Sequence, residues 1–226
     1  MSRISKTTEP TGLITNYSYD ANDNIVKLED NAGRAYKFTY NEINQLVKST
    51  DPLNRDTQYE YDLAGNLTKT ISGNVETTYE YNAVHNLTKI IDAQNNVVEM
   101  LYDLNSNLTG YTDANKNTNT FNFDKLNRVK DAIDPNGNVE NYEYDARENL
   151  TKTTDKLKGT TEYTYNAKKQ ATTIKNANGK EYKVEYDKVG NITAMTAPNG
   201  DTQEMEYDKA NQLVKVKDPA RTNYAI

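Results

Sequence analysis

The sequence predicts an all-β protein: an antiparallel array of β-hairpin repeats, with about twenty short strands, that coils into a spiral or curved sheet. Three observations support this prediction. The sequence repeats itself about every 21 residues, turn-forming residues interrupt it about every ten positions, and no window shows a sustained helical period. We therefore expect essentially no helix.

Each repeat opens with an aromatic residue, and the next residue is Asp or Asn in all ten repeats. The spacing is 21 residues except between Tyr61 and Tyr81, where it is 20. The residues that define the repeat are Tyr19, Asp20, Tyr40, Tyr61, Asp62, Gly65, Asn66, Tyr81, Tyr102, Asp103, Phe123, Asp124, Tyr144, Asp145, Tyr165, Tyr186, Asp187, Gly190, Asn191, Tyr207 and Asp208.

Two turns divide each repeat into strands. The first turn has an Asp or Asn that caps a backbone N–H, two variable residues, a position rich in Gly or Asn, and then Asn or Gln in nine repeats of ten. The second begins eleven residues after the aromatic residue and is clearest at residues 134–137, Asp-Pro-Asn-Gly. The segments between turns, such as 77–81 and 87–91, have strand chemistry, so each repeat is one hairpin.

The register across the first turn has two solutions. A four-residue loop places glutamates opposite lysines at Glu60/Lys69, Glu80/Lys89, Glu143/Lys152 and Glu206/Lys215. A type I turn with a glycine bulge instead places the aromatic residue opposite the apolar residue six positions later, as in Tyr61 opposite Leu67. Each cross-strand pair is worth only about 0.2–1 kcal/mol, so both registers stay open.

The composition excludes several classes of function. Only 35% of the residues are hydrophobic and none is Trp, so we expect no thick core, and the 18 Tyr against 3 Phe bring hydroxyls that need water or a hydrogen-bond partner. The net charge of −6 is scattered along the chain, which argues against nucleic acid as a partner. There is no Cys for a disulfide or thiolate metal site, no run long enough to span a bilayer, and no signal peptide in this chain.

The Tyr-Asp-x-x-Gly-Asn-Leu-Thr unit at residues 61–68 and the Asp-Pro-Asn-Gly turn at 134–137 resemble the YD-repeat or Rhs-repeat family, which is seen in Tc toxin shells, bacterial wall-associated proteins and teneurins. The resemblance covers nearly the whole chain. It implies a β-sheet spiral wound into a hollow shell, which in the toxins encloses a C-terminal effector, and an extracellular or cell-surface location in a bacterium. The chain lacks the family's self-cleavage segment, toxin domain and delivery module, so the resemblance implies neither protease nor toxin activity. Ten repeats should form an arc rather than a closed cage.

We expect one continuous repeat domain: a partial repeat at 1–18, nine tandem repeats at 19–206, and a truncated tenth repeat at 207–226. Residues 3–7 are predicted to form the second strand of an incomplete repeat, and residues 218–221 to form a turn before most of a further strand. Two interpretations follow. The chain is a fragment of a longer array, or the C-terminal strand of one copy pairs with the N-terminal strand of the next.

Candidate chemistry is sparse. The Asp and Asn after each aromatic residue resemble calcium ligands only superficially, because each loop supplies one or two oxygens, and turn capping is the preferred interpretation. His85 is the only histidine and lies in a first turn without a second metal ligand or a serine partner, so we interpret it as a loop residue. Glycosylation sequons at Asn66, Asn86, Asn107, Asn149 and Asn191 recur because the repeat recurs.

The predicted function is a structural module that builds a curved β-sheet wall or shell segment of an exported surface or toxin-related protein, and that self-associates end to end. We expect no enzyme activity, no metal and no cofactor. The expected partners are other repeats of the same or a longer chain and further copies, with no membrane span. The alternative is a carbohydrate-binding surface that uses ladders of Tyr and Asn, whereas stacked tyrosines that join neighbouring hairpins explain the same pattern.

Overall fold

The computed structural model describes residues 3–218 and, for the backbone alone, residues 221–225. The described residues form 22 β-strands and no helix. In chain order the strands are β1 Lys6–Thr8, β2 Ile14–Tyr19, β3 Ile25–Asp30, β4 Ala35–Tyr40, β5 Leu46–Thr50, β6 Asp56–Tyr61, β7 Leu67–Ser72, β8 Val75–Tyr81, β9 Leu87–Ile91, β10 Val97–Tyr102, β11 Leu108–Thr112, β12 Thr118–Phe123, β13 Val129–Ile133, β14 Val139–Tyr144, β15 Leu150–Thr154, β16 Thr160–Tyr165, β17 Ala171–Lys175, β18 Glu181–Tyr186, β19 Ile192–Thr196, β20 Thr202–Tyr207, β21 Leu213–Asp218 and β22 Arg221–Ala225.

The chain divides into two units, residues 1–118 and 119–226. In the first unit each strand from β1 to β11 pairs antiparallel with the next strand in sequence. In the second unit the same holds from β12 to β22. Each unit is therefore a run of consecutive hairpins without crossovers, and the predicted all-β hairpin array is confirmed.

The register across the first turn combines both predicted solutions. Glu60 lies opposite Lys69, and Tyr61 lies opposite Leu67, because Thr68 is an extra residue that bulges from β7. The same shift recurs at the other predicted pairs, between β8 and β9, β14 and β15, and β20 and β21. The Thr68 hydroxyl donates to the Glu60 carbonyl oxygen at 3.2 Å, which provides the bulge with a hydrogen bond of its own.

The one short repeat has a different second turn. The other second turns between β1 and β20 close five-residue loops in the ladder, as between Thr50 and Asp56. Between β7 and β8 the ladder continues to Ser72 opposite Val75, and only Gly73 and Asn74 remain in the loop. Gly73 has a φ of 60°, the left-handed value that a tight hairpin turn requires at this position. The loss of one residue therefore lengthens the ladder by one pair, which explains the spacing of 20.

The two faces of each ladder differ in chemistry, because side chains alternate along a strand and opposed residues share a face. One face, which we call the aromatic face, carries pairs such as Tyr59 with Thr70 and Tyr79 with Ile90. The other, the charged face, carries pairs such as Glu80 with Lys89. Among residues 3–218 no hydrophobic side chain is buried, and Asn149, at 8% exposure, is the only buried polar residue. The expectation of no thick core agrees with this arrangement.

At the N-terminus, β1 covers Lys6–Thr8, so the strand is shorter than residues 3–7 suggested and lies slightly later. It is followed by the expected turn, in which Gly12 N–H donates to the Glu9 carbonyl oxygen at 2.9 Å. At the other end, Pro219 and Ala220 of the predicted turn and Ile226 lie outside the described residues. The domain boundaries proposed from the sequence remain a prediction.

Candidate functional site

The repeated first turn is the candidate site, and its Asp is the centre of a small hydrogen-bond network. Asp62 Oδ1 accepts from the backbone N–H groups of Ala64 and Asn66, both at 2.9 Å, and Oδ2 accepts from Asn66 Nδ2 at 2.8 Å. The backbone closes the same loop, since Gly65 N–H donates to the Asp62 carbonyl oxygen at 3.1 Å. Gly65 has a φ of 91°. The Asp is therefore a turn cap, which is the role that the sequence favoured over calcium binding.

The second turn uses the same network, although its sequence differs. Asp134 Oδ1 accepts from the N–H groups of Asn136 and Asn138 at 2.9 Å, and Oδ2 accepts from Asn138 Nδ2 at 2.8 Å. Arginine replaces the Asn amide in other loops, as at Arg34, whose Nε donates to Asp30 Oδ2 at 2.6 Å. One loop design thus forms both edges of the ladder.

The fifth loop residue is matched to the first by hydrogen-bonding chemistry. Where Asn41 replaces Asp, Gln45 replaces Asn, and the Gln45 Oε1 accepts from Asn41 Nδ2 at 2.8 Å. Asn166 and Gln170 form the same pair at 2.8 Å. An acceptor in one position therefore goes with a donor in the other. The pairing of Asp with Asn, and of Asn with Gln, is visible in the sequence, and it could have revealed this contact.

One loop breaks the rule. In this loop Asn82 is paired with Asn86. Asn82 has an amide Nδ2 where Asp62 has the oxygen Oδ2, so two donors, Asn82 Nδ2 and Asn86 Nδ2, meet without an acceptor. Asn86 Nδ2 is buried and has no hydrogen-bond partner. The loop still closes, because Asn82 Oδ1 accepts from the N–H groups of Val84 and Asn86 at 3.1 and 2.9 Å. An unpaired buried donor costs about 1–3 kcal/mol, so this loop is a weak point in its hairpin.

The carboxylates of these loops have perturbed pKa values. The Asn66 side-chain amide, followed by the Asn66 backbone N–H, holds the pKa of Asp62 below its usual value. The amide of Asn107 does the same to the pKa of Asp103. The hydrogen bonds stabilise the charged form, which is the form that caps the turn.

The tyrosine that precedes each capping residue joins consecutive repeats. Tyr61 Oη donates to the carbonyl oxygen of Leu46 in the preceding repeat at 2.9 Å. The same bond, always to the residue fifteen positions earlier or fourteen in the short repeat, is made by Tyr19, Tyr40, Tyr81, Tyr144, Tyr165 and Tyr186. Leu46 lies opposite Tyr40, where the bulge opens the ladder. The preference for Tyr over Phe therefore has a specific cause.

The tips of neighbouring first turns are also in contact. Asn24 Nδ2 donates to Asn44 Oδ1 of the next repeat at 2.8 Å, and Asn191 Nδ2 donates to Asn211 Oδ1 at 3.2 Å. His85 takes the equivalent position, with its Nδ1 3.0 Å from Asn66 Nδ2. His85 is thus a loop residue, as expected, with a φ of 65° and a contact to the preceding repeat.

These contacts bear on the sequons. The Nδ2 atom that would carry a glycan on Asn66 is the atom that donates to Asp62, and Asn107, Asn149 and Asn191 make the same bond to their own Asp. Attachment of a sugar would replace one of the two Nδ2 hydrogens and leave at most one for this bond. The sequons are therefore a by-product of capping chemistry.

The predicted charge pairs lie opposite each other, but the ion pairs differ. Lys89–Glu80, Lys152–Glu143 and Lys215–Glu206 have N–O distances of 3.6, 3.5 and 3.1 Å. Lys69 instead lies 3.1 Å from Glu76 on the next strand. These pairs are solvent-exposed, so each contributes about 0–1 kcal/mol and sets register more than stability.

Pockets on the described surface are open grooves. One of about 420 Å³ is lined by Ile174, Tyr182, Val184 and Met195, with Asp201 and Asp218 beside them. Among the described residues no group of three or more His, Cys, Asp or Glu is arranged to hold a metal ion. A long apolar helix of the kind that crosses a membrane is not found in the part of the chain that the structure describes.

The hairpin ladder, the shared turn network and the tyrosine bonds define a class of protein: a repeat protein in which each unit is a hairpin joined to the next. The family description Teneurin YD-shell matches residues 133–224, and RHS Repeat matches residues 40–74 and 81–118. The chain belongs to the YD-repeat or RHS-repeat family. A search of curated proteins found no match.

Solved structures with a similar fold are Tc toxin proteins. TcdB2-TccC3-TEV is matched at 17% identity over 90% of this chain, with a TM-score of 0.59. The Photorhabdus luminescens Tc holotoxin pore is matched at 13% identity over 92% of this chain, with a TM-score of 0.61. TcdB2-TccC3 without its hypervariable C-terminal region is matched at 13% identity over 95%, with a TM-score of 0.58. The chain spans 13%, 14% and 14% of those three chains, so the likeness concerns the fold of one segment.

Proposed function

We propose that this chain is a structural module that forms a segment of a curved β wall in an exported surface or toxin-related protein of a bacterium. The observation that carries the proposal is the bond from the tyrosine that opens a repeat to a carbonyl oxygen of the preceding repeat, seen in seven repeats, at Tyr61 and six other tyrosines. Such bonds hold hairpins edge to edge and enclose no site. Membership of the YD-repeat or RHS-repeat family and the shared fold with Tc toxin chains support this role.

The role that we propose is not catalytic. The carboxylates that recur in most repeats are engaged by their own loops, as Asp62 is by three donors. A carboxylate held in this way is a poor general base, because its lone pairs already accept N–H groups and its pKa is lowered.

Small-angle X-ray scattering of the chain tests the wall. We expect a plate-like cross-section, about 10 Å thick for a single sheet and about 20 Å for two stacked sheets. A compact cross-section typical of a globular domain with a buried core would contradict the proposal.

We also propose that the array extends by edge pairing. Among the described residues β1 pairs only with β2, so its other edge offers free N–H and C=O groups to a strand of another repeat, in the same or a different chain. Edge pairing between copies is head to tail, and the assembly grows with concentration. Light scattering checks this, and a species of fixed size across a wide concentration range argues against it.

A second candidate function, carbohydrate binding, rests on three exposed tyrosines. Tyr36, Tyr111 and Tyr182 are 49%, 36% and 44% exposed and offer ring faces for sugars. Most tyrosines that open the repeats are less suited, since their hydroxyls donate within the ladder. A glycan array run with the chain and with Tyr36→Ala and Tyr182→Ala variants tests this, and binding that is unchanged in both variants excludes the tyrosines.

A further inference from the structure

The aromatic face of the first unit is uniform in chemistry. Its rungs between the turn edges carry Tyr17, Leu28, Phe38, Tyr59, Ile90 and Met100, with Thr or Ser at most other positions. The rungs that join neighbouring hairpins continue the pattern, with Leu28 opposite Tyr36, Thr70 opposite Thr77 and Ile90 opposite Val98. Apart from Asp30, which lies opposite Thr15 at a turn edge, none of these rungs has a charged residue.

The other face of the same strands is different. It carries Lys27 opposite Lys37, Glu60 opposite Lys69 and Glu80 opposite Lys89. Ion pairs from Lys48 to Asp56 and from Lys69 to Glu76, at 2.9 and 3.1 Å, lie on it. This charged face also carries Ile71, Ile91 and Leu101, so the two faces differ in charge and in aromatic content rather than in every apolar residue.

Nothing within the first unit covers the aromatic face. No hydrophobic side chain among residues 3–118 is buried, and Tyr36 and Tyr111 are exposed. A sheet normally buries its apolar face against a second layer, since an exposed apolar patch of several hundred square ångströms is unfavourable in water. The face therefore has the chemistry of half a sandwich.

We propose that the aromatic face of the first unit packs against the same face of a second copy of this chain. The face selects no oppositely charged partner, because its rungs between the turn edges carry no charge. Two of its tyrosine hydroxyls already have partners on the same face: those of Tyr17 and Tyr59 lie 3.4 and 3.2 Å from the hydroxyls of Thr7 and Ser49. A surface that requires only apolar contact is complementary to itself.

The area of the face agrees with this occupant. Eleven strands, most of them five or six residues long, spaced about 4.8 Å apart, present a footprint of about 800 Å², which is what each partner contributes to a standard stable interface. Two sheets packed face to face lie about 10 Å apart and align their strands within about 30°. The interface uses the same patch on both copies, so the assembly closes at two, whereas edge pairing continues to grow.

Two adjacent isoleucines provide a matched test. Ile90 lies on the aromatic face between Tyr79 and Val98, whereas Ile91 lies on the charged face between Thr78 and Val97. Both are half-buried in β9. Sedimentation velocity of the chain over two decades of concentration should show a monomer–dimer step, with any growth by edge pairing only beyond the dimer. Ile90→Lys should shift it at least tenfold toward monomer, and Ile91→Lys should leave it unchanged.

A milder pair guards against loss of folding. Thr77 and Thr78 lie opposite Thr70 and Lys69, on the aromatic and charged faces, and both positions tolerate polar groups. Thr77→Glu should weaken the dimer while far-ultraviolet circular dichroism stays unchanged, and Thr78→Glu should not weaken it. A monomer at every concentration, or equal effects of the paired variants, overturns the proposal. Growth beyond a dimer that Thr77→Glu leaves intact also overturns it, because edge pairing then accounts for the association.

Discussion

The residue types in the capping loops follow from the match between individual hydrogen-bond donors and acceptors. An Asp in the first position has a second oxygen that needs a donor, and an Asn there has an amide that needs an acceptor. The chain answers with Asn66 after Asp62 and with Gln45 after Asn41. Asn82 with Asn86 is the mismatch, and the unpaired Asn86 Nδ2 is its consequence.

Replacing Asn82 with Asp should repair that loop. Asn82→Asp supplies an oxygen to Asn86 Nδ2, as Asp62 does for Asn66 at 2.8 Å, and we expect the protein to gain about 1 kcal/mol of stability at neutral pH. Urea denaturation measures the change. Asn166→Asp is the control, because Gln170 Oε1 already accepts from Asn166 Nδ2, so no gain is expected. Equal gains in stability in both variants would show that Asn86 Nδ2 does not lack a hydrogen-bond partner.

Removing one tyrosine hydroxyl should loosen the contact between two repeats. Tyr61→Phe leaves the Leu46 carbonyl oxygen without its 2.9 Å donor and should cost about 1 kcal/mol in thermal or urea unfolding. Tyr36→Phe is the matched control, since Tyr36 is exposed and should change stability by less than about 0.5 kcal/mol. A Tyr61→Phe protein as stable as the parent would remove the tyrosine bond from the explanation of the repeat.

At the scale of a hairpin, the loop network predicts a graded response. Asp134 makes two bonds through Oδ1 and one through Oδ2. Asp134→Asn keeps an oxygen for the backbone N–H groups and loses the Asn138 bond, whereas Asp134→Ala loses all three. We expect the loss of stability for Ala to be about twice the loss for Asn, by analogy with helix caps. Hydrogen exchange of β13 and β14 should show the same order, and an Ala variant that resembles the Asn variant would contradict it.

The hairpin is also where sequence analysis reached its limit. The strands and both turns were predictable, because Tyr, Thr and Ile alternate between punctuating Asp, Asn and Gly residues. The register was not, because the charge pairs and the Tyr61–Leu67 pair looked like alternatives. A single bulged residue, Thr68, satisfies both. Bulges leave little trace in one sequence, since the extra residue has the same β propensity as its neighbours.

The tyrosine bonds were missed for a related reason. The excess of Tyr over Phe indicated that the hydroxyls need partners, but the acceptor at Leu46 is a backbone atom of another repeat. Backbone acceptors carry no residue identity, so spacing alone does not identify them. The pairing of Asp with Asn and of Asn with Gln, in contrast, involves two side chains, so it is visible in the residue types and could have been predicted.

For the whole molecule, the caps predict a loss of stability in acid. Hydrogen bonds from Asn or Arg hold the pKa values of Asp62, Asp92, Asp113 and Asp124 below the usual 3.8. A depressed folded pKa contributes stability that is fully present above about pH 4 and is lost as the pH falls through the lower folded values. The melting temperature should therefore be nearly constant from neutral pH to about 5 and decline steeply below about 4.

The chain contains its own control for this prediction. The loop between β4 and β5 is capped by Asn41, which does not titrate, whereas the loop between β6 and β7 is capped by Asp62. Hydrogen exchange followed as the pH is lowered below 4, after correction for the intrinsic rate, should show β6–β7 opening before β4–β5. Simultaneous opening would mean that acid acts through the charged face, where Glu and Lys pair, and not through the caps.

In the five-residue loop, the residues that determine the backbone conformation differ from the residues at its exposed tip. The fold of the loop depends on the first, fourth and fifth residues. The third contributes a backbone N–H group, and in that position the side chains of Arg147 and Lys168 also donate to the next loop. Leu63 and Leu104 occupy the second position with their side chains fully exposed, while Glu42 and Lys188 occupy it in other loops. Substitutions at the second position can therefore change the tip of a hairpin from apolar to acidic or basic with little effect on the stability of the strands. The array therefore presents variable side chains at regular intervals along one edge. A substitution in one loop requires no change in the next hairpin.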